Sequence, residues 1–387
     1  MPAAAARTTL IEPFYVMEVV KEAAALAATG HSVIHLSIGE PDFTAPEPVR
    51  RAAIAAIERG ETQYTGALGL QPLRERIAHW YGTRFGCQVD ASRIVVTAGA
   101  SGALLLACAA LLEHEAELLM PDPSYPCNRH FATALGGRAR LVPCGPEQRF
   151  QLTAADVEAN WTAATGGVLV ASPSNPTGTS IEPAVLADLI AAVHRRKGFV
   201  ISDEIYQGLS YGHAPTSALQ SSDEVVVINS FSKYFSMTGW RLGWIVAPAP
   251  LVPVLEKLAQ NLYICPSAIA QRAAVACFDD ESIAVYEERR AEFQRRRDFL
   301  LPALVELGFR IPVTPDGAFY VYADIGRFAD DSFTFVRDLL RATGVCLVPG
   351  KDFGRAAPER YVRISYATSL DRLQEAVERM RHHLRRS

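Results

Sequence analysis

Long apolar runs are missing from this sequence: nowhere do the roughly 18 to 20 uncharged residues needed to cross a bilayer follow one another. The Ala-rich start, MPAAAAR, lacks the charged-then-apolar order of a secretory signal, which predicts a cytoplasmic protein with no membrane partner. A basic excess is missing too. Lys and Arg number 38 against 42 Asp and Glu, a formal charge of −4, so little is available to neutralise nucleic-acid phosphates, and small-molecule partners are expected instead. The seven cysteines (Cys87, Cys108, Cys127, Cys144, Cys265, Cys277 and Cys346) contain no CxxC pair and stand near no histidine cluster. That argues against a metal site and against a disulfide framework, and most of them read as small core residues. Internal repeats and low-complexity linkers are also lacking. What remains is an ordinary globular composition, 49% apolar and 21% charged, in a chain of 387 residues that is long enough for a sizeable core.

Between about residues 94 and 247, short β-branched runs alternate with helical patterns. IVVTAGA leads into ASGALLLACAALL, GVLVASPSNP into PAVLADLIAAVHRR, and AELLMPDPSY, RARLVPC, GFVISDEIY, EVVVINSFSK and LGWIVAPAP supply further strands. Runs apolar on both faces, separated by helices, predict an α/β fold with a mostly parallel sheet flanked by helices. From about 281 to 307 the charge-rich stretch ESIAVYEERRAEFQRRRDFLLPALVEL reads as one long helix; AFYVYADI, VCLVPG, YVRISYA and a last helix then suggest a smaller α+β unit. The expected division is a large domain at 46–280, a small C-terminal domain at 281–387, and an N-terminal segment, 1–45, that packs on the small domain. That segment carries a helix near 15 to 29 and is too short for a core of its own.

Ligands of open α/β sheets collect beyond the carboxyl ends of the strands, and here nearly every strand ends in small, polar or charged residues. Asn175 lies in SPSNPTG, Asp203 and Tyr206 in SDEIY, Ser230 and Lys233 in SFSK, and Arg241 in TGWR. Taken singly they are ambiguous, since a strand-end lysine is usually a solvated charge, an aspartate often a helix cap and an asparagine a turn residue. Converging on one crevice, they suit a phosphorylated aldehyde with a basic ring nitrogen: an amine for the imine, an acid for the nitrogen, hydrogen bonds for the phenolate and a guanidinium fork for the phosphate. That is the inventory for pyridoxal 5′-phosphate. The turn Gly99-Ala100-Ser101-Gly102 follows a strand and opens an apolar helix, so its free N–H groups and helix dipole are suited to an anion.

In SIGEPDF (37–43), NPTG (175–178), SDEIY (202–206), SFSK through Arg241 (230–241), PGKDFG (349–354) and VRISYA (362–367), taken in order, the sequence resembles the class I/II aminotransferases, fold type I pyridoxal-phosphate enzymes. The likeness runs from about residue 12 to the C-terminus. It implies that Lys233 is the Schiff-base lysine and the proton carrier, that Asp203 pairs with the pyridine nitrogen, and that Tyr206 and Asn175 bind the phenolic oxygen. Ala100, Ser101, Ser230 and Arg241 would hold the phosphate, with Ser232 less firmly indicated, and Tyr125 would stack on the ring. Arg363 would fork onto the substrate α-carboxylate beside the Gly39 backbone and Asn175, a role that suits a planar, permanently charged group. Glu204 is read as structural. Tyr64, in TQYTGALG, matches a position where a tyrosine crosses to the other subunit's phosphate, which implies a homodimer.

The expected activity is ping-pong transfer of an amino group from an L-amino acid to a 2-oxo acid. A lyase eliminating a β-substituent is the alternative on the same fold, and Tyr206, where some carbon–sulfur lyases resemble a histidine, leans toward transamination. A pyridoxal-binding transcription regulator is the remote alternative, and the first 45 residues show no basic helix-turn-helix pattern for it. In related aspartate-using enzymes with NPTG a lysine can stand where Ser101 stands here, so one means of reading a second carboxylate is lacking. Phe14, Tyr15, Phe319 and Tyr320 are candidates for an apolar side-chain pocket, and a neutral amino donor is expected.

Overall fold

The computed structural model describes residues 3–384. Its centre is a seven-stranded sheet in the order β2-β8-β7-β6-β5-β3-β4. These strands are β2 (Ile94–Thr97), β3 (Glu117–Asp122), β4 (Arg138–Pro143), β5 (Thr165–Ala171), β6 (Phe199–Asp203), β7 (Val226–Ser230) and β8 (Gly243–Val246), preceded in the chain by the short β1 (Ile34–His35). β3 to β7 pair in parallel, and β8 runs antiparallel to both β2 and β7. Buried residues alternate between two apolar clusters along each inner strand. Val200 on β6 and Val227 on β7 belong to one cluster, while Ile201 and Ile228 belong to the other. A strand buried on both faces has no polar face to show, which is why these segments read as continuous apolar runs.

Helices cover both faces. After α1 (Val16–Ala28), α2 (Glu47–Glu58) and α3 (Gln71–Phe85) come α4 (Gly99–Leu111), α5 (Pro126–Ala134), α6 (Ala154–Asn160), α7 (Pro183–Arg195), α8 (Val252–Leu262) and α9 (Ala268–Val275). The long charged pattern is a single helix, α10 (Asp280–Leu307), within a residue of the expected start. Beyond it β9 (Tyr320–Asp324), α11 (Ser332–Thr343), β10 (Val345–Cys346), β11 (Val348–Pro349), β12 (Tyr361–Ser365) and α12 (Leu370–Leu384) follow, with β11-β12-β9 forming an antiparallel sheet. β1 pairs in parallel with β10, which joins the N-terminal segment to this C-terminal unit. Among the described residues no helix is long and apolar enough to cross a membrane.

Because β8 is antiparallel, its first residue lies at the edge where the parallel strands end, with Gly243 opposite Ser230 and Thr97. That direction carries Arg241 to the same edge as Lys233. The approach there is close: a Cβ on Gly243 would lie 2.8 Å from Asn229 O and 2.9 Å from Ala100 N, so only a glycine admits the start of α4.

Candidate active site

At this edge, roofed by the N-terminal segment and the C-terminal unit, lies a cavity of about 360 Å³. Ala100 and Ser101 reach it from the first turn of α4, Tyr125 from the N-terminus of α5, Asn175 from the turn after β5, Asp203 and Tyr206 from the end of β6, and Ser230, Lys233 and Arg241 from the β7–β8 connection. Gly39 and Arg363 close the other side. All the residues anticipated from sequence for the cofactor and the substrate carboxylate therefore meet here except Tyr64, which is 79% exposed and absent from the cavity wall of its own chain.

Lys233 is half-buried, and its Nζ donates to Gly39 O at 2.6 Å. Burial, aided by Arg363 and Arg241 nearby and opposed by Glu40 and Asp203, brings its pKa down to about 8. Asp203 is only 4% exposed and accepts the Ile205 N–H at 3.2 Å. Burial pushes its carboxyl up to about 7, against the pull of that N–H and of Lys233. A cationic N–H brought into the cavity would offset the cost of ionising it. Next to it Glu204 turns into the protein, accepting from Ala218 N at 2.7 Å and Ser202 Oγ at 3.2 Å, contacts of a structural acid.

The anion end is built from backbone as much as from side chains. Gly99 has φ +76°, and a Cβ there would lie 2.6 Å from an Arg241 guanidinium nitrogen, so the helix start and the arginine enclose one cup. Ser230 Oγ, at the end of β7, donates to Ser232 Oγ at 3.0 Å and accepts the Ser232 N–H, which fixes the turn leading to Lys233. N–H groups at a helix start, a guanidinium and hydroxyls are groups suited to a phosphate.

Arg363 is 6% exposed. Its Nη1 donates to Asn175 Oδ1 at 2.9 Å and its Nη2 to Ser37 O at 2.8 Å, while its buried Nε has no protein partner. The guanidinium lies 4.4 Å from the Tyr320 ring centroid and 5.1 Å from that of Phe353. The strand arginine that reads from alternation alone as a surface charge is thus an interior one, held by two carbonyl oxygens and two rings.

Of the four aromatics expected in a side-chain pocket, Phe14 and Tyr320 line the cavity and the other two do not. Tyr15 packs edge-on against Phe333 at 5.9 Å, and Phe319 is fully buried against Phe293 at 5.4 Å. Tyr15 sits in a turn just before α1 (φ −62°, ψ −35°) and Phe319 in a turn just before β9, so local turn geometry directs each away from the cavity that its neighbour lines. Ser37, Val16, Met17, Thr238, Asp352 and Phe353 also line the cavity and were not singled out from sequence. PGKDFG was visible as a motif, but which of its side chains points inward has no one-dimensional signal.

An inward lysine with lowered pKa, a buried carboxyl that makes no salt bridge among the described residues and an anion cup in one cavity fit pyridoxal phosphate. The fold and this set of groups define a pyridoxal-phosphate-dependent transferase of fold type I. Comparison with known proteins agrees. Residues 31–380 match the model of aminotransferase class I and II, and the chain belongs to that family. It is 42% identical over 372 residues to a valine–pyruvate aminotransferase of Mycobacterium tuberculosis, covering 96% of each chain, and 34% identical to an aspartate aminotransferase of Thermotoga maritima, covering 94% of each. The crystal structure of an aminotransferase from Mycobacterium tuberculosis superposes with a TM-score of 0.96 at 42% identity over the full length of both chains. The protein is an enzyme that moves amino groups between amino acids and 2-oxo acids with pyridoxal phosphate as cofactor.

Proposed function

We propose that the enzyme takes the amino group from neutral L-amino acids and passes it to a 2-oxo acid in a ping-pong cycle. The composition of the cavity wall carries this reading. Among the described residues lining it, the cations are Lys233, Arg241 and Arg363; the lining also includes the apolar Phe14, Val16, Met17, Val348 and Phe353, the last 5.1 Å from the Arg363 guanidinium, together with one further acid, Asp352. With Lys233 and Arg241 committed to the cofactor, Arg363 is left for the α-carboxylate that every substrate carries, and a second buried carboxylate would lack a partner from this chain. The likeness to an enzyme named for valine supports the same substrate class.

Bound here, the cofactor supplies an aldehyde that carries the amino group and a ring that accepts electrons from the substrate carbon. Lys233 Nζ would hold it covalently and, once displaced by substrate, take the proton from the α-carbon and hand it on; a pKa near 8 puts the neutral amine within reach at neutral pH. Asp203 would pair with the ring nitrogen, its charge then balanced rather than bare. Tyr206 and Asn175 would hydrogen-bond the ring oxygen, Tyr125 would cover the ring, and the Ala100 and Ser101 backbone, Ser230 and Arg241 would hold the phosphate. Arg363 and Gly39 would orient the substrate carboxylate so that its α-hydrogen faces Lys233.

The functional unit in this reading is a homodimer in the cytoplasm, to which Tyr64 contributes across the interface. The seven unpaired cysteines suit a reducing compartment. The division at 45 and 280 is supported by the β1–β10 pairing and by the start of α10 at Asp280. Single-turnover conversion of the bound cofactor to its amine form tests the donor class. Valine, leucine, methionine, alanine and phenylalanine should each react with higher catalytic efficiency than aspartate; a higher efficiency for aspartate overturns the neutral-donor reading.

A further inference from the structure

Tyr206 Oη and Tyr320 Oη lie 2.9 Å apart, with their rings edge to face at 5.7 Å. The two come from different parts of the fold, one following β6 of the central sheet and the other opening β9 of the C-terminal unit. Both are buried. Burial raises the pKa of each phenol, so each keeps its one proton. A hydroxyl with one proton donates once, and two hydroxyls in contact must divide the roles of donor and acceptor.

We propose that the Tyr320 hydroxyl is a positioning group for the reaction, resting on the assignment of Tyr206 to the cofactor's ring oxygen: Tyr320 donates to Tyr206 Oη and so leaves the Tyr206 proton for that oxygen. The direction is forced. If Tyr206 gives its proton to a ring oxygen, it can meet Tyr320 only as an acceptor, and Tyr320 must be the donor. A donor feeding Tyr206 polarises its O–H and strengthens the bond that Tyr206 makes in turn. Tyr320 is held for this task on two further sides. Its ring supports the Arg363 guanidinium at 4.4 Å, and its hydroxyl stands where a Cβ on Gly39 would come within 3.3 Å of it. The same residue thus underlies the arginine that faces the substrate carboxylate and the tyrosine that faces the cofactor.

Tyr320→Phe keeps the ring and removes the hydroxyl, which separates the hydrogen bond from the packing under Arg363. The measurement is a pH titration of the visible absorbance of the lysine-bound cofactor in wild type, Tyr206→Phe, Tyr320→Phe and the double variant. A donor on the ring oxygen favours its ionised form, so losing that donor moves the midpoint upward. Tyr206→Phe should raise it by about one to two units, and Tyr320→Phe should raise it in the same direction by about a tenth to a third as much. The double variant should match Tyr206→Phe, because the second hydroxyl acts through the first. If Tyr206→Phe shifts the midpoint while Tyr320→Phe does not, or if the two shifts add in the double variant, the role of Tyr320 is overturned and that of Tyr206 stands. An unshifted Tyr206→Phe overturns the assignment of Tyr206, and the inference with it.

Discussion

Burial acts on Asp203 and Lys233 in opposite chemical senses, since in both it disfavours the charged form: the acid is pushed up to about 7 and the amine down to about 8. In the cofactor-free protein this sets a definite dependence of stability on pH. Between its ordinary value of 3.8 and 7, Asp203 keeps a proton in the folded state that the unfolded chain has released, so its contribution to stability is lost as pH rises through that window. Between 8 and 10.5 the unfolded chain holds a proton that folded Lys233 has given up, and stability returns as pH rises. The two groups together place a minimum near pH 7 to 8. Asp203→Asn should therefore stabilise the cofactor-free protein at pH 7.5, on the order of a few kcal/mol at about 1.4 kcal/mol per unit, and should flatten the fall in Tm from pH 4 to 7. Glu204, pushed up to about 7 by the same burial, keeps part of that slope in the variant. Thermal unfolding across pH checks this, and an Asp203→Asn protein less stable than wild type at pH 7.5 would contradict it.

At the scale of elements, the strands were legible because burial on both faces leaves an unbroken apolar run, and α10 because a long charge-rich stretch free of glycine carries its buried residues, Tyr286, Phe293, Leu300 and Leu304 among them, at helical spacing. The lysine, acid and arginine of the site were legible because they fall just past strand ends. What sequence did not reveal are contacts between distant elements. Tyr320 and Tyr206 are 114 residues apart, and which of two neighbouring aromatics faces inward depends on where a strand begins. Asp352 is the same kind of case. Helix α1 has no capping side chain from its own flank; instead Asp352, 336 residues on, accepts the Tyr15 N–H at 2.7 Å and the Val16 N–H at 2.9 Å. Its carboxylate satisfies N–H groups that a helix start leaves open and meets the positive end of the helix. That contact fixes the segment from which Phe14, Val16 and Met17 form one wall of the cavity. Asp352→Ala, at a cost of about 1 kcal/mol for a lost cap, should raise KM for a neutral amino acid several-fold with kcat and the visible spectrum little changed, and Asp352→Asn should do so less. Steady-state kinetics on valine decides it: a fall in kcat at constant KM would assign Asp352 to the chemistry rather than to the wall.

At the scale of the whole molecule the question is Tyr64, the one residue anticipated for the cofactor that does not reach the cavity of its own chain. Its exposure is not that of a loose loop. Beside it Thr65 Oγ1 accepts from Gln271 Nε2 at 3.0 Å, and Leu70 N donates to Gln271 Oε1 at 2.8 Å, so a fully buried glutamine pins the base of the loop while the tyrosine ring projects outward. Ile54, Ile57, Leu262 and Ile264 are also large apolar side chains left exposed. The expected homodimer would cover a tyrosine presented in this way. Such a pairing would bring the Tyr64 hydroxyl of one subunit to the phosphate of the other and complete the anion cup formed by α4, Ser230 and Arg241. Tyr64→Phe removes that hydroxyl and leaves the ring at the interface, so assembly and Tm should be unchanged while cofactor is held about tenfold more weakly, the equivalent of one hydrogen bond to a charged group. Sedimentation of wild type at assay concentration, paired with cofactor-release measurements on the variant, tests both halves: a fully active monomer removes the interface, and unchanged cofactor retention in a dimeric Tyr64→Phe protein removes the residue from the site.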